Sequence, residues 1–301
     1  MSLLLEPFAY AFFGRAMLAG VLVGALCGAL SVPVVLKRMS YVGHGLAHSV
    51  LGGVAVGVAL GADLYVGAAV ATVLSAILID RVAARRGLHH DAAIGIVTTA
   101  AFALGIAVLA VVPTRLNLEA VLFGNILGVD ARDLTVTAAV AVAAAVTLFA
   151  GYKRLVFTVF DPEVAAVHGV PVRHIELGLN LVTAAVVVAS VRVLGALLIA
   201  AAVVLPAAGA RLITRSFAAM VGTAVALGTG ASVLGLYASF HLDVPSGPAI
   251  VLVGTLGFLV AYVASGTAAR RARRAGARDR AGSRDLVRAA DGSPRATELP
   301  A

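Results

Sequence analysis

Nine apolar runs, each about as long as a membrane-crossing helix, account for most of this sequence. A transmembrane helix needs about 20 apolar residues to cross about 30 Å of hydrocarbon. The chain has 301 residues, of which 61% are hydrophobic and 13% charged, whereas a soluble domain carries about 25% charged residues. No run alternates as a barrel strand does, so we predict an all-α, polytopic membrane protein with eight or nine transmembrane helices. The predicted spans are 16–36, 41–60, 64–79 (continuing to Arg81), 92–112, 134–150, 174–191, 193–210, 217–237 and 249–265.

The positions of the basic residues predict the orientation, since cytoplasmic loops are enriched in Lys and Arg. With the N-terminus outside, 19 of the 23 Lys and Arg fall on the cytoplasmic side. The outer side keeps Arg15, Arg115, Arg132 and Arg192. The acids of the outer loops make us expect an acidic external face, which suits arriving cations: Glu6, Asp63, Glu119, Asp130, Asp133 and Asp243.

The composition changes after residue 266, which divides the chain into a transmembrane domain (1–266) and a tail (267–301). The tail contains nine arginines among Gly, Ser and Pro, and its few apolar residues cannot form a core. We predict a disordered cytoplasmic tail that anchors the topology, with binding to anionic lipid or to nucleic acid as the less favoured alternatives.

Small residues recur every four positions in the first two spans. Such rows let helix backbones approach closely in lipid, so we expect a tight bundle. The rows are Gly20, Gly24 and Gly28, then Gly53, Gly57 and Gly61. Residues 116–129 are apolar but too short to cross, and we expect a re-entrant or interfacial helix there on the outer side.

Two histidines four residues apart, His44 and His48, begin the second span. Residues i and i+4 lie above one another on a helix, so both imidazoles can hold one cation. Ionisable groups within a membrane span are costly and indicate a functional site. The alternative is a neutral pair that is hydrogen-bonded to neighbouring groups.

The loop 160–172 predicts a short helix with defined ends. Asp161 is suited to cap it, Pro162 to take its first position, and Glu163 to face the helix dipole. Gly169 and Pro171 then stop the helix. Its exposed side carries Val164 and Val167, and a short amphipathic helix at the membrane surface is well shaped to dock into a groove on a soluble partner.

Six motifs together resemble one family, the membrane subunits of ABC-type zinc, manganese and iron uptake transporters. The resemblance extends from about Glu6 to Ala264. The motifs are KRMSYVGHGLAHS at 37–49, HDAAIGI at 90–96, LFGNILGV at 122–129, FDPEVAAVHGVPV at 160–172, LGALLIAAAVVLPAAGARL at 194–212 and DVPSGPAIVL at 243–252.

The resemblance implies a permease in a bacterial plasma membrane that dimerises around a two-fold pore, with a second copy or a paralogue. It also implies two cytoplasmic ATPase subunits, docked on a coupling helix at 161–169, and an extracytoplasmic metal-binding protein. The metal is then a transported substrate and not a bound cofactor. The chain has no GxxxxGK[ST] motif, so we expect ATP hydrolysis in a separate subunit. A nucleic-acid partner is not expected.

One departure from the family concerns position 44, where family members carry an acid and this chain has His44. Imidazole favours zinc, whereas carboxylate suits manganese. We therefore expect zinc as the preferred substrate, with manganese and iron kept open.

Weaker candidates lie elsewhere in the chain. His241 and Asp243, at the outer end of the eighth span, are candidate outer ligands, and Pro206 is a candidate kink for gating. His89, His90 and Asp91 form a cytoplasmic cluster that is a weak candidate for receiving metal.

Two other classes of function remain: a secondary cation carrier without an ATPase, and a membrane-embedded enzyme, which no HExxH motif supports.

Overall fold

A computed structural model describes residues 6–84, 90–113 and 117–266 of the chain, and these residues fold as a helical bundle. Twelve α-helices lie within the described residues. Their bounds are α1 Ala11–Leu36, α2 Ser40–Ala59, α3 Leu64–Ala83, α4 His90–Val111, α5 Leu118–Phe123, α6 Ala131–Ala150, α7 Tyr152–Phe160, α8 Pro162–Val167, α9 Val172–Leu194, α10 Ile199–Ile213, α11 Phe217–Leu242 and α12 Ser246–Gly266. The predicted tail, Arg85, Arg86, His89 and Arg115 lie outside the described residues.

Eight of these helices are long and apolar enough to cross a membrane, which confirms the predicted polytopic all-α class. The central helices are α1, α2 and α9, whereas α4, α6, α11 and α12 leave most of their surface exposed. α1 packs against α11, α10 and α6, and α2 packs against α4 and α3. The exposed surface is apolar, for example at Leu104 and Leu252, so lipid covers it.

The predicted seventh span, 193–210, is wrong as a continuous helix. α9 continues to Leu194, Gly195 breaks it at φ +78°, and α10 begins only at Ile199. At 15 residues, α10 is about 22 Å long and does not by itself cross the bilayer. Pro206 lies buried inside α10, and the helix continues through it. The helix is interrupted in this region at Gly195 and not at Pro206.

Two backbone N–H groups freed by this break are paired with carbonyls at the end of α5. Ala196 and Leu197 donate their N–H groups to the carbonyls of Val121 and Leu122, at 2.8 and 3.2 Å. This pairing explains how non-helical backbone is tolerated within the bundle. The segment predicted as a re-entrant or interfacial helix therefore packs on the α9–α10 junction, through the buried side chains of Val121 and Ile126.

Glycine allows the backbones of three helix pairs to touch. Gly24 and Gly28 of α1 face Gly228 and Ala224 of α11, and a Cβ at Gly28 would lie 2.5 Å from the Ala224 carbonyl oxygen. The second pair is Gly53 and Gly57 of α2 against Gly67 of α3, and the third is Gly52 of α2 against Ala101 and Gly105 of α4. The predicted close approach is confirmed at Gly24, Gly28, Gly53 and Gly57.

The two remaining members of the predicted rows behave differently. Gly20 faces the flexible side chain of Leu236 and not a backbone. Gly61 follows α2 in a turn with φ +74° and has no neighbour within 4 Å, so it was wrongly assigned to the packing row.

We predict opposite effects for Gly228→Ala and Gly222→Ala, although both change α11. Alanine favours a helix over glycine by about 1 kcal/mol, and Gly222 has open space for a Cβ. At Gly228 the Cβ would meet the Gly24 carbonyl, so overpacking should cost about 1–3 kcal/mol. Thermal unfolding in detergent should show a lower midpoint for Gly228→Ala only, and equal midpoints would contradict the packing argument.

Candidate functional site

The ends of the bundle differ in the side chains that they bring together. The Lys37 end contains the end of α1, the starts of α2 and α9, and helices α7 and α8. The Arg192 end contains the starts of α3 and α6, the end of α9, and α5. These two names are kept below.

His44 and His48 lie on an exposed stripe of α2, within the half of the helix nearer the Lys37 end. Their Nε2 atoms are 3.2 Å apart. Tyr41 lies edge-on to His44, and Phe102 of α4 lies edge-on to the half-buried ring of His48. The opposite side of α2 is fixed by Leu46, which is fully buried, and by Gly45, which faces α4. The helix thus holds both imidazoles towards the same open face.

The distance between the two nitrogens suits a shared ion as well as a hydrogen bond. Zn–N bonds of about 2.0–2.1 Å in tetrahedral geometry place two ligand nitrogens about 3.3 Å apart. One ion can therefore bridge His44 and His48 with little rearrangement. In the part of the chain that the structure describes, no group of three or more His, Cys, Asp or Glu side chains could hold a metal. A tetrahedral ion bridging the pair would need further ligands from outside these two residues.

Sequence reasoning missed two ion pairs that fix the start of α9 at the Lys37 end. Lys37 at the end of α1 pairs with Glu176 at 2.5 Å, and Arg173 pairs with Asp80 of α3 at 3.1 Å. The Lys37 side chain is 8% exposed, whereas that of Arg173 is 68% exposed. The two residues of each pair are far apart in sequence, so the sequence does not show that they meet. The only signal was the presence of a charged residue within an apolar stretch.

The short helix α8 forms as its sequence predicts. The Asp161 carboxylate accepts a hydrogen bond from the Val164 N–H at 2.9 Å, and Pro162 takes the first helical position. Gly169 ends the turn at φ +75°. Ala165 is buried against the bundle, and Val167 is 85% exposed. The helix therefore presents an apolar side outward, on which Val164 is also exposed, and Glu163 is exposed beside it.

α8 is tied to the rest of the bundle on both sides. The preceding α7 contacts the start of α11, through Phe217 against Tyr152 and Phe160. The following α9 is separated from α8 by four residues and carries Arg173 and Glu176. A force on α8 would therefore reach α1 and α3 through ion pairs.

At the Arg192 end, two of the acids expected on an acidic outer face form contacts within the chain. Asp133 is buried, accepts a hydrogen bond from the Tyr65 hydroxyl at 2.6 Å, and lies 3.8 Å from Nε of Arg192. Asp63 pairs with Arg132 at 2.7 Å. The prediction of a free surface acid at Asp133 is therefore wrong, because its carboxylate joins α3, α6 and α9.

Two acids at this end, Asp63 and Asp130, are stabilised as anions. Burial acts to raise the pKa of Asp63, but hydrogen bonds from the Tyr65 N–H and from Arg132 outweigh it and lower that pKa. The Asp133 N–H lowers the pKa of Asp130. Both carboxylates are therefore ionised at neutral pH.

His241 and Asp243 lie at the Arg192 end and are not brought near His44 and His48. His241 packs against Tyr237 and Phe240. Asp243 ends α11 in the left-handed region at φ 52°. The contacts of the described residues include no hydrogen bond between His241 and Asp243. Their role as outer ligands stays a prediction.

We predict that Glu176→Gln lowers stability more than Asp80→Asn. Losing Glu176 leaves the buried ammonium of Lys37 without its carboxylate, and uncompensated buried charges cost about 3–5 kcal/mol, less here because Glu176 is partly exposed. Asp80→Asn removes a pair with an exposed Arg173, typically about 0–1 kcal/mol. Thermal midpoints of the purified variants measure the difference, and a larger drop for Asp80→Asn would contradict it.

Comparison with known proteins places this site in a family context. The profile of the ABC 3 transport family matches residues 9–265. The chain is 34% identical over 254 residues to the manganese transport system membrane protein MntC of Halalkalibacterium halodurans, covering 84% of this chain and 87% of that protein. It is 35% identical over 262 residues to the chelated iron transport system membrane protein YfeD of Yersinia pestis, covering 87% and 88%. Among solved structures, PsaBC from Streptococcus pneumoniae in complex with Fab matches with a TM-score of 0.79 and 32% identity, over 87% of this chain and 94% of that one.

Proposed function

The chain belongs to the ABC 3 transport family, and from this premise we propose that it is the permease subunit of an ABC importer for a divalent transition-metal ion. The observation that carries the proposal is the His44–His48 pair, whose geometry fits one metal ion on an exposed face of a transmembrane helix. Relatives named for manganese and chelated iron support a metal of this group.

We propose that a second permease copy completes the metal site. One chain supplies two imidazoles, whereas zinc takes four ligands. Two copies related by a two-fold axis beside α2 would bring four nitrogens together, so that the ion crosses between the copies. A paralogue with a similar pair would serve equally well.

The energy for transport enters through α8. In this proposal the Lys37 end is cytoplasmic, and α8 inserts Val164 and Val167 into a groove of a separate ATPase subunit. Movement of α8 is passed to α9 and, through Glu176 and Lys37, to the turn that begins α2. His44 lies about one helical turn after Ser40, where α2 begins, so this movement would reach the histidine pair. An extracytoplasmic binding protein would deliver the ion at the Arg192 end.

Membership of this family makes a secondary carrier, which would need no ATPase, the less favoured alternative. The zinc preference rests on His44 alone, and the relatives named above carry manganese and iron in their names. We therefore propose zinc separately from the permease function, and the uptake assay below tests the metal preference on its own.

We predict that vesicles holding the permease and its ATPase accumulate radiolabelled Zn²⁺ only with ATP, and that His48→Ala stops this uptake. The loss should exceed about 10–100-fold, the effect typical of groups that merely support a metal ligand. The matched control is His174→Ala, an exposed histidine outside the pair. Uptake without ATP would favour the secondary carrier, and normal uptake by His48→Ala would remove the pair from the pathway.

The same assay with Mn²⁺ tests the metal preference. Wild-type vesicles should take up zinc in preference to manganese, and His44→Asp should shift the ratio towards manganese because a carboxylate suits that ion. A wild-type preference for manganese would refute the zinc assignment while leaving the permease function intact.

We predict that Val167→Asp uncouples the permease from its ATPase without unfolding it. Val167 is 85% exposed, so a charge there disturbs few contacts within the chain but should weaken an apolar docking contact about tenfold or more. Co-purification of the ATPase and the thermal midpoint are the two measurements. Val167→Ile keeps an apolar surface and should dock normally. Normal docking by Val167→Asp would contradict the role of α8.

A further inference from the structure

An apolar groove of about 650 Å³ opens on the side of the bundle formed by α1, α6, α7 and α11. The groove is separate from the histidine pair, because α2 does not line it and packs instead against α3, α4, α9 and α10. Its lining is almost entirely apolar, with Leu26, Ala29, Ala145, Leu148 and Val221 among the residues.

The length and depth of the groove fit one leaflet of a bilayer. Along α1 the lining runs from Pro33, near the Lys37 end, to Leu22. Leu22 and Pro33 are separated by eleven helical steps, or about 16 Å, and half of the hydrocarbon thickness is about 15 Å. The groove thus starts at the membrane surface and ends close to the midplane, as one acyl chain does.

The rim of the groove at the Lys37 end has the composition of a lipid headgroup region. Tyr152 and Phe217 both line the groove and contact each other, with ring centroids 5.5 Å apart. Tyrosine is enriched at membrane–water interfaces, which places the Tyr152 side of this contact at the membrane surface. Each of the two aromatic residues has a basic neighbour in sequence, Lys153 and Arg154 after Tyr152, and Arg215 before Phe217.

These three basic side chains are exposed. The described hydrogen bonds and ion pairs give them no acidic partner, unlike Lys37 and Arg173 at the same end. Their charge is therefore available to an anion from outside the chain. Basic groups beside an anionic membrane surface each contribute about 1 kcal/mol, a factor of about five in affinity.

We propose that the groove binds an anionic phospholipid, with one acyl chain between α1, α6 and α11 and the phosphate group at Lys153, Arg154 and Arg215. The bound lipid joins α7 to the start of α11 and so steadies the support of α8. The residues that line the groove include neither the histidine pair nor any residue of α8.

The test uses the full chain in detergent and counts retained phosphatidylglycerol and phosphatidylcholine by native mass spectrometry. We expect wild type to retain phosphatidylglycerol preferentially and to unfold at a higher temperature in its presence. The triple variant Lys153→Gln, Arg154→Gln, Arg215→Gln should bind it on the order of 100-fold more weakly, from three factors of about five. The control Arg81→Gln removes an exposed basic residue of α3 at the same end and should change nothing.

Filling the groove separates it from other anionic-lipid sites. Ala145→Trp occupies the groove and should remove the bound lipid, whereas Ala143→Trp lies on an exposed part of the same helix and should not. If Ala145→Trp fails to fold, Ala218→Trp fills the same groove from α11.

Three results would overturn the proposal. Equal retention of both lipids would refute the charged rim. Retention that survives both the triple and the groove-filling variants would assign the lipid to the arginine-rich tail. A triple variant that keeps its lipid but loses the ATPase would assign the basic side chains to a protein contact.

Discussion

Direct contact between helix backbones is the constraint on which this bundle depends. Lipid tails are as apolar as the helices, so the hydrophobic effect does not drive helices together within the membrane, and close van der Waals contact must do so. Glycine supplies that contact between α1 and α11, between α2 and α3, and between α2 and α4. The same packing leaves one face of α2 open and fixes the direction in which His44 and His48 point.

α9 connects the two ends of the molecule. Glu176 and Arg173 hold its start to α1 and α3, and Arg192 and Gly195 hold its end to α6 and to the segment after α5. A helix held at both ends moves as a unit, which suits an element placed directly after α8. At the Gly195 break, Val121 and Leu122 accept hydrogen bonds from the N–H groups of Ala196 and Leu197, so α9 can end within the bundle with these two donors paired.

The sequence predicted the helical class, most span positions, the glycine contacts of α1 and α2, and the capped helix at Asp161, because each depends on local pattern. It did not predict the break at Gly195, because hydropathy continues through it and glycine is common in membrane helices. Nor did it predict that Asp133 is buried or that Lys37 pairs with Glu176, since those contacts join residues 60 or more positions apart. In the candidate site, the spacing predicted that the two imidazoles face together. That no third His, Cys, Asp or Glu of the described residues joins the pair became evident only from the folded structure.

The two-nitrogen geometry at α2 has a consequence for biogenesis. In the proposed assembly, a copy newly inserted into the membrane would offer a metal ion only two of four tetrahedral ligands, and water would take the other positions. Such a copy would not compete for scarce cations with the metalloenzymes of the cell before it meets its counterpart. The complete metal site would then form only when two copies have assembled, so that the ion is bound only where it can also be transported.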